Sequence, residues 1–163
     1  MSIFLGLGTN LGNRKNNLNK SISLLNNSEK LNVLRKSKIY ETSPMENLEQ
    51  GYFLNQIIKI EFNGTLDDLF LYTQKVERKM GKLNQKIRYQ PRIIDIDILS
   101  FNDFVVDNEK LSVPHPKIKF RKFVLKPWTD IDSNYILPNS KMTIKEHLDN
   151  ISDLNDEVRE YKK

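Results

Sequence analysis

The stretch QPRIIDIDILSF, residues 90–101, constrains the fold of this chain more than any other. It has the composition of a strand, with six apolar residues, yet Asp95 and Asp97 lie in its middle. Asp is rare in strands, and a buried carboxylate without a partner is costly. Because side chains alternate between the two faces of a strand, the two acids project together and the isoleucines between them project into a core.

Two carboxylates at this spacing form a candidate metal site. Their Cα atoms would lie roughly 6–7 Å apart, so both side chains can contact the same hard cation, and they would repel each other without one. Oxygen ligands suit Mg²⁺, which takes one or two carboxylates and completes its shell with water and phosphate oxygens. The alternative is that Asp95 and Asp97 both face solvent on an ordinary amphipathic strand.

Basic residues on both sides of the acids favour the metal site. Cations beside a two-acid metal site indicate a metal–polyphosphate substrate, since Lys and Arg neutralise phosphate oxygens. Arg92 stands in the Pro-Arg step that leads into the strand, and single lysines elsewhere can equally be surface charges. The flanking basic residues are Lys82, Lys86, Arg88, Arg92, Lys110, His115, Lys117, Lys119, Arg121 and Lys122.

Length and composition predict one domain over residues 1–163. No apolar run approaches the roughly 18–20 residues that span a membrane, and the N-terminus lacks a signal-peptide pattern, so we expect a cytoplasmic protein. With no cysteine, the chain has no disulfide, thiolate metal site or cysteine nucleophile. The net charge of +5 fits either a solvated surface or a polyanionic ligand.

The pattern of apolar residues predicts an α+β fold, because strands and helices mix without a strict alternation. We expect strands over 2–8, 32–42, 52–62 and 92–101, a short hairpin over 103–113, and helices over 14–27, 66–80 and, weakly, 143–151. Thr65 and Asp68 form a capping-box variant, and Gly81 is the expected C-terminal glycine of the second helix. The glycines of GLGTNLG lack the spacing of a phosphate-binding loop, so a tight turn is expected there.

Phe53 and Asn55 project from the same face of the 52–62 strand, opposite Leu54, Ile58 and Ile60. An aromatic ring and an amide on one face can stack on a flat heterocycle and hydrogen-bond to it. The alternative is a second core face with a polar residue at its edge.

Several stretches, in order along about 120 residues, resemble the 6-hydroxymethyl-7,8-dihydropterin pyrophosphokinase family of folate biosynthesis. They are LGLGTNLGNR, YETSPM, YFLNQII, RYQPRIIDIDIL and VPHPKIKFRKFVL. The family carries Trp-Gly where this chain has Tyr89-Gln90, and often arginine where it has Lys82 and Asn84. The family uses this loop as a moving lid, and we expect the same of residues 82–92.

The resemblance implies a ferredoxin-like α+β fold, with helices on both sides of a mainly antiparallel sheet in three α-β-α layers. It implies Mg²⁺-dependent transfer of pyrophosphate from ATP to the pterin's hydroxymethyl group, with release of AMP. Asp95 and Asp97 would hold two Mg²⁺ ions, and Arg92 and Lys82 would also act in catalysis. The implied ATP-binding residues are Gln74, Arg88, Arg92, Ile98, Lys110, His115 and Arg121. The implied pterin-binding residues are Thr42, Pro44, Met45, Phe53, Asn55 and Phe123.

On this interpretation the partners are ATP and 6-hydroxymethyl-7,8-dihydropterin, with no nucleic acid and no membrane, and the protein is a monomer. Three alternatives remain at this point. One is a nucleic-acid-binding ferredoxin-like module, although acids on a central strand would repel phosphates. The second is a metal-dependent nuclease that uses Asp95 and Asp97, and the third is a member of the family that has lost its activity, which the departures in the lid would explain.

Overall fold

The structure, a computed structural model, describes residues 1–44, 49–82, 90–151 and 157–162. The strands are β1 Ile3–Thr9, β2 Leu31–Lys36, β3 Tyr40–Thr42, β4 Phe53–Phe62, β5 Asp95–Phe101, β6 Val106–Asp107, β7 Ser112–Val113 and β8 Val158–Glu160. The helices are α1 Arg14–Leu25, α2 Leu66–Lys79, α3 Lys122–Asp132 and α4 Ile144–Asp149, with a 3-10 turn at Ile118–Phe120.

A mixed α and β fold is built on one antiparallel sheet of six strands. Its order is β5-β1-β4-β3-β8, and β2 pairs with the far end of β4 beside β3. β4 is ten residues long, so it pairs with β1 along one edge and with both short strands along the other. The β6–β7 hairpin stands apart, as expected for 103–113. This topology puts β1 between the strand of Phe53 and the strand of the two acids.

Alternating side chains divide the core between the two faces of the sheet. On one face, Leu5, Leu7, Ile58 and Ile96 belong to a cluster that includes buried residues of α1 and α2. On the other, Phe4, Ile57 and Leu99 pack with α3 and α4 around Trp128, which is fully buried. The predicted inward direction of the isoleucines in β5 is confirmed, since Ile94, Ile96 and Ile98 are all buried.

Helix α2 begins and ends as the sequence predicts. The Thr65 side chain accepts the Asp68 N–H and the Asp68 carboxylate accepts the Thr65 N–H, which forms the full capping box. At the other end Gly81 has φ +98, and the N–H groups of Lys82 and Gly81 donate to the carbonyls of Glu77 and Arg78. This is a Schellman motif, and it turns Lys82 back toward β5.

One prediction about secondary structure was wrong, and one helix was missed. The single strand expected over 32–42 is broken at Ser37, whose hydroxyl accepts the Ile57 N–H at 2.9 Å and so replaces a backbone partner in the ladder. No helix was expected over 122–132, where α3 contains Pro127.

Within the described residues no helix is long and apolar enough to cross a membrane.

Candidate active site

A cavity of about 460 Å³ opens on the α3 face of the sheet, where three strands form its floor. Gly8 of β1 pairs with Asn55 on one side and Asp95 on the other. Gly6 pairs in the same way with Ile57 and Asp97. Paired residues share a face, so two rows cross the sheet with a glycine in the middle of each, and each row ends in one of the two acids. Glycine here leaves the backbone open to a ligand lying between β4 and β5.

Asp95 is held by two cations. Its carboxylate accepts from Lys82 Nζ at 2.8 Å and from Arg92 Nη1 at 2.7 Å. Burial opposes ionisation of this carboxyl, but Lys82 and Arg92 outweigh it and hold the pKa of Asp95 below its usual value. Asp95 is therefore a carboxylate at neutral pH, and its two cations also lie where phosphate oxygens could reach them.

In the part of the chain that the structure describes, the charge of Asp97 has fewer and more distant cations beside it than the charge of Asp95 has. Its nearest cation is the Arg121 guanidinium, 3.7 Å from the carboxylate. Burial, and then the charge of Asp95, raise the pKa of Asp97 to about 7, although Arg121 opposes the shift. The side chain retains 39% of its exposure because it opens onto the cavity, while protein surrounds it elsewhere. The two acids therefore differ, since among the described residues Asp95 has two cations within 2.8 Å and Asp97 has one at 3.7 Å.

The opposite wall of the cavity carries an amide and two aromatic rings, which could bind a flat heterocycle. Asn55 is buried, and its Nδ2 donates to Thr42 Oγ1 at 2.8 Å. Its Oδ1 lies over Gly8, where an added Cβ would approach it to 3.3 Å. Phe53 and Phe123 line the same cavity, and the Arg121 guanidinium lies 5.6 Å from the centre of the Phe123 ring. Phe53 and Asn55 both face the cavity, as the alternation of side chains along the strand predicts.

His115 lies beside Lys117 as a neutral imidazole. Burial, followed by the charges of Arg121 and Lys117, lowers the pKa of His115 to about 4. Its Nδ1 accepts the Lys117 N–H at 3.2 Å, so the ring proton is assigned to Nε2. His115 can therefore donate one hydrogen bond from Nε2 without carrying charge.

Lys82 bridges the acid strand and helix α2. Its ammonium contacts Glu77 at 2.9 Å as well as Asp95 at 2.8 Å. Glu77 is buried, and its other bond is from the Ile96 N–H at 2.7 Å. Burial raises the pKa of Glu77, against the opposing effect of Lys82. Glu77 thus ties both β5 and Lys82 to the helix.

Comparison with known proteins identifies the family. The family model described as 7,8-dihydro-6-hydroxymethylpterin-pyrophosphokinase (HPPK) matches residues 4–133. The chain belongs to the HPPK family. A 2-amino-4-hydroxy-6-hydroxymethyldihydropteridine pyrophosphokinase of Bacillus subtilis is 36% identical over 128 residues, which are 78% of this chain and 76% of the relative. A protein of the same name from Aquifex aeolicus is 35% identical and covers 89% of each chain.

Solved structures agree at the level of the fold. The wild-type HPPK-DHPS of Plasmodium falciparum superposes with a TM-score of 0.71 at 18% identity. That match covers 90% of this chain but 41% of the longer Plasmodium chain. The likeness supports the mixed α and β fold with its antiparallel sheet.

The cavity brings together most of the residues that the HPPK resemblance singles out. Lys82 and His115 adjoin it through their contacts with Asp95 and Lys117. Met45 and Arg88 lie outside the described residues. Of the lid predicted over 82–92, the structure describes only Lys82 and residues 90–92. Residues from that set that line the cavity are Thr42, Pro44, Phe53, Asn55, Arg92, Asp95, Asp97, Arg121 and Phe123.

Besides Lys82 and His115, three described HPPK-derived positions are not among the lining residues. Gln74 is half-buried on α2, and Lys110 is exposed in the β6–β7 turn, where its N–H donates to Asn108. Ile98 is buried in the core on the opposite face of β5 from Asp97. Their roles toward ATP stay predictions.

Sequence reasoning missed several residues of the HPPK cavity and its supports. Gly6 and Gly8 were interpreted only through the turn pattern, although glycine inside a strand often marks a close backbone approach. Glu77 falls on the buried side of α2, and an acid at such a position was a usable signal. Gln50 and Phe120 also line the cavity, and no local pattern distinguishes them.

Proposed function

We propose that this chain transfers the terminal pyrophosphoryl group of ATP to the hydroxymethyl group of 6-hydroxymethyl-7,8-dihydropterin and releases AMP, as a step of folate synthesis. The hydroxyl oxygen forms a bond to the β-phosphorus, and AMP leaves with the oxygen that bridged the α- and β-phosphorus. One observation carries the proposal beyond family membership. In one row across the sheet, Gly8 lies between the Asn55 amide, which can hydrogen-bond to a heterocycle, and the Asp95 carboxylate, which contacts two cations.

The dimensions of that row suit the two substrates. Asn55 and Asp95 are separated by two strand spacings, roughly 10 Å, because adjacent strands lie about 4.8 Å apart. A pterin ring at Asn55 would therefore point its hydroxymethyl group toward β5. The cavity volume of about 460 Å³ is also in the ordinary range for ligand sites.

Asp95 and Asp97 fit a role as Mg²⁺ ligands. Burial and the charge of Asp95 raise the pKa of Asp97, a bound cation would favour its ionised form, and carboxylate oxygens are the donors that Mg²⁺ prefers. In the described part of the chain no three acids, histidines or cysteines converge as a metal cage, so phosphate oxygens and water would complete the shell. When bound there, Mg²⁺ would neutralise phosphate charge and lower the pKa of the substrate hydroxyl, and we propose two such ions.

The protein's own groups bind and orient the substrates. Asn55 would accept hydrogen bonds from the pterin edge, while Phe53 and Phe123 stack on its ring. Arg92 and Arg121 would contact phosphate oxygens, and Lys82 would act on closure of the site more than on initial ATP binding. His115 would donate from Nε2 to a phosphate or to the departing AMP rather than act as a base, because its pKa of about 4 makes it a weak proton acceptor.

Several finer properties belong to the same proposal. Helices on both faces of the sheet support the ferredoxin-like three-layer arrangement. A single domain over 1–163, a monomeric state and a cytoplasmic location remain predictions from the sequence. Family membership favours the kinase over the nucleic-acid-binding and nuclease alternatives.

The test is AMP formation from ATP, Mg²⁺ and the reduced pterin alcohol. Asp95→Ala and Asp97→Ala should each reduce AMP formation by at least about 100-fold, since both acids would stabilise charge in the transition state. As a readout separate from activity, Mg²⁺ with an ATP analogue should raise the Tm of the wild type but not of Asp97→Ala. Full activity in Asp97→Ala would overturn the role of the acid pair, and a wild type that forms no AMP would overturn the proposed activity.

A further inference from the structure

The residue after β1, Asn10, is buried and does not itself line the cavity. It lies in the GLGTNLG stretch, where the sequence indicates only a turn. Gly12, with φ +66, makes that turn, so the turn does not explain a buried amide two residues earlier. The hydrogen bonds of Asn10 do explain it.

One end of the Asn10 amide fixes the phosphate side of the site. Its Oδ1 accepts the Arg92 N–H at 2.7 Å, and the Asn10 N–H donates to the Arg92 carbonyl at 3.1 Å. Together these bonds replace the β1–β5 ladder beyond the last paired residues, Gly8 and Asp95. They hold the backbone of Arg92, whose guanidinium contacts Asp95 at 2.7 Å.

The other end of the amide fixes the pterin side. Asn10 Nδ2 donates to Gln50 Oε1 at 3.0 Å and to the Gly51 carbonyl at 3.4 Å. Gln50 lines the cavity, and this segment leads directly into Phe53 of β4. The Arg92 N–H can only donate and the Gly51 carbonyl can only accept, so these two backbone groups define the orientation of the Asn10 amide.

We propose that Asn10 is a positioning residue that sets the separation between the pterin wall and the phosphate strand. The inference rests on the proposed function, because it concerns the alignment of two substrates. A single amide bonded to both walls keeps Arg92 and the 50–51 segment in register, without touching either ligand. Reactions between two bound substrates depend steeply on such alignment, since a misplacement of about 1 Å can cost about 100-fold in rate.

The alignment role predicts a particular split in the kinetics. Asn10→Ala should lower kcat at saturation of both substrates by about tenfold or more, while the separate affinities for the pterin and for a non-hydrolysable ATP analogue with Mg²⁺ each change by less than about threefold. A residue that only supports folding would lower the fraction of folded protein and leave kcat per folded molecule unchanged.

Asn17→Ala is the matched control. Asn17 has the same side chain near the same turn, and its Nδ2 also donates to two groups, the Leu11 carbonyl at 2.8 Å and Thr9 Oγ1 at 3.3 Å. Among its described contacts it has no direct bond to Arg92 or to residues 50–51, and Thr9 Oγ1 has only a long bond, 3.4 Å, to the Arg92 carbonyl. Its replacement should lower the Tm and leave kcat within about twofold of the wild type.

Asn10→Asp tests the same point if the alanine variant does not fold. The aspartate is isosteric and keeps the acceptor for the Arg92 N–H, but it presents an oxygen to the Gly51 carbonyl and loses that bond. Slow hydrogen exchange of the Arg92 amide should persist in Asn10→Asp, yet kcat should still fall. Because kcat is measured at saturation with both substrates, a change in affinity caused by the added charge does not alter it.

The value of kcat decides the outcome. A fall of about tenfold or more in Asn10→Ala, or in Asn10→Asp if only that variant folds, that Asn17→Ala lacks, supports the inference. A smaller fall in kcat, an equal fall in Asn17→Ala, or a loss of more than about threefold in either affinity of Asn10→Ala overturns it. A wild type that forms no AMP overturns the proposed function instead, which keeps the two failures distinguishable.

Discussion

Asp97→Asn should stabilise the ligand-free protein at about pH 8 and change its stability little at about pH 4. Burial and the charge of Asp95 raise the pKa of Asp97 from 3.8 to about 7 in the folded protein. Between these values the folded state binds a proton that the unfolded state has lost, so the stability of the wild type falls as the pH rises through this window. Asparagine removes the charge at every pH.

The magnitude follows from the same shift. The gap between the two pKa values corresponds to roughly 4 kcal/mol, at about 1.36 kcal/mol for each pH unit. The Asp97 side chain is 39% exposed at the cavity, so water screens part of its charge. We therefore expect a gain of about 1–2 kcal/mol for Asp97→Asn at high pH.

The assay is urea unfolding of both proteins with EDTA, at several pH values between about 4 and 8. His115, with its pKa lowered to about 4, acts in the opposite direction, because its stabilisation is lost as the pH falls from its unfolded value. Both proteins retain His115, so the difference between their curves isolates Asp97. Asp103→Asn, at an exposed position, is the control. A difference between wild type and Asp97→Asn that does not vary with pH would refute the reasoning.

Three further predictions concern the walls and the edge of the site. Asn55→Ala should weaken pterin binding by about 10- to 100-fold and ATP binding little, measured by calorimetry; equal losses would mean that β4 is only structural. Gly8→Ala places a Cβ 3.3 Å from Asn55 Oδ1 and should weaken pterin binding while the Tm is retained; unchanged affinity would contradict the open floor. Lys82→Ala should lower single-turnover AMP release with little change in ATP affinity, whereas Lys82→Arg should maintain or raise it, because a planar guanidinium can bind two phosphate oxygens. Unchanged single-turnover chemistry in Lys82→Ala would refute the role of Lys82 in closure and leave it only its ion pairs with Glu77 and Asp95.

The sequence was sufficient where local chemistry and periodicity agree. Helix α2 has an apolar stripe, a capping box at Thr65 and a glycine at its end, and both its bounds follow from these. The alternation of β4 and β5 likewise predicts which side chains face the core and which face the cavity. These features depend on neighbours a few residues apart, so the chain shows them directly.

Features that depend on distant contacts could not be predicted. Pro127 argues against a helix because it removes a donor and crowds the preceding turn, yet α3 forms because Val124, Leu125 and Trp128 pack against the sheet. The short strand β8 is defined by its pairing with β3, about 120 residues earlier in the chain. The contacts of Asn10 could not be predicted for the same reason, since its partners lie 40 and 82 residues away in the chain.

The central claim concerns which phosphorus is attacked, and ³¹P NMR of a single turnover tests it most directly. Wild-type protein in excess over the pterin alcohol, with ATP and Mg²⁺, should convert the pterin to its diphosphate ester and form an equal amount of AMP. The signals of the β- and γ-phosphorus should move together to the pterin, while the α-phosphorus remains on the adenosine. Formation of ADP with a pterin monophosphate, or of AMP without any change in the pterin, would contradict the account.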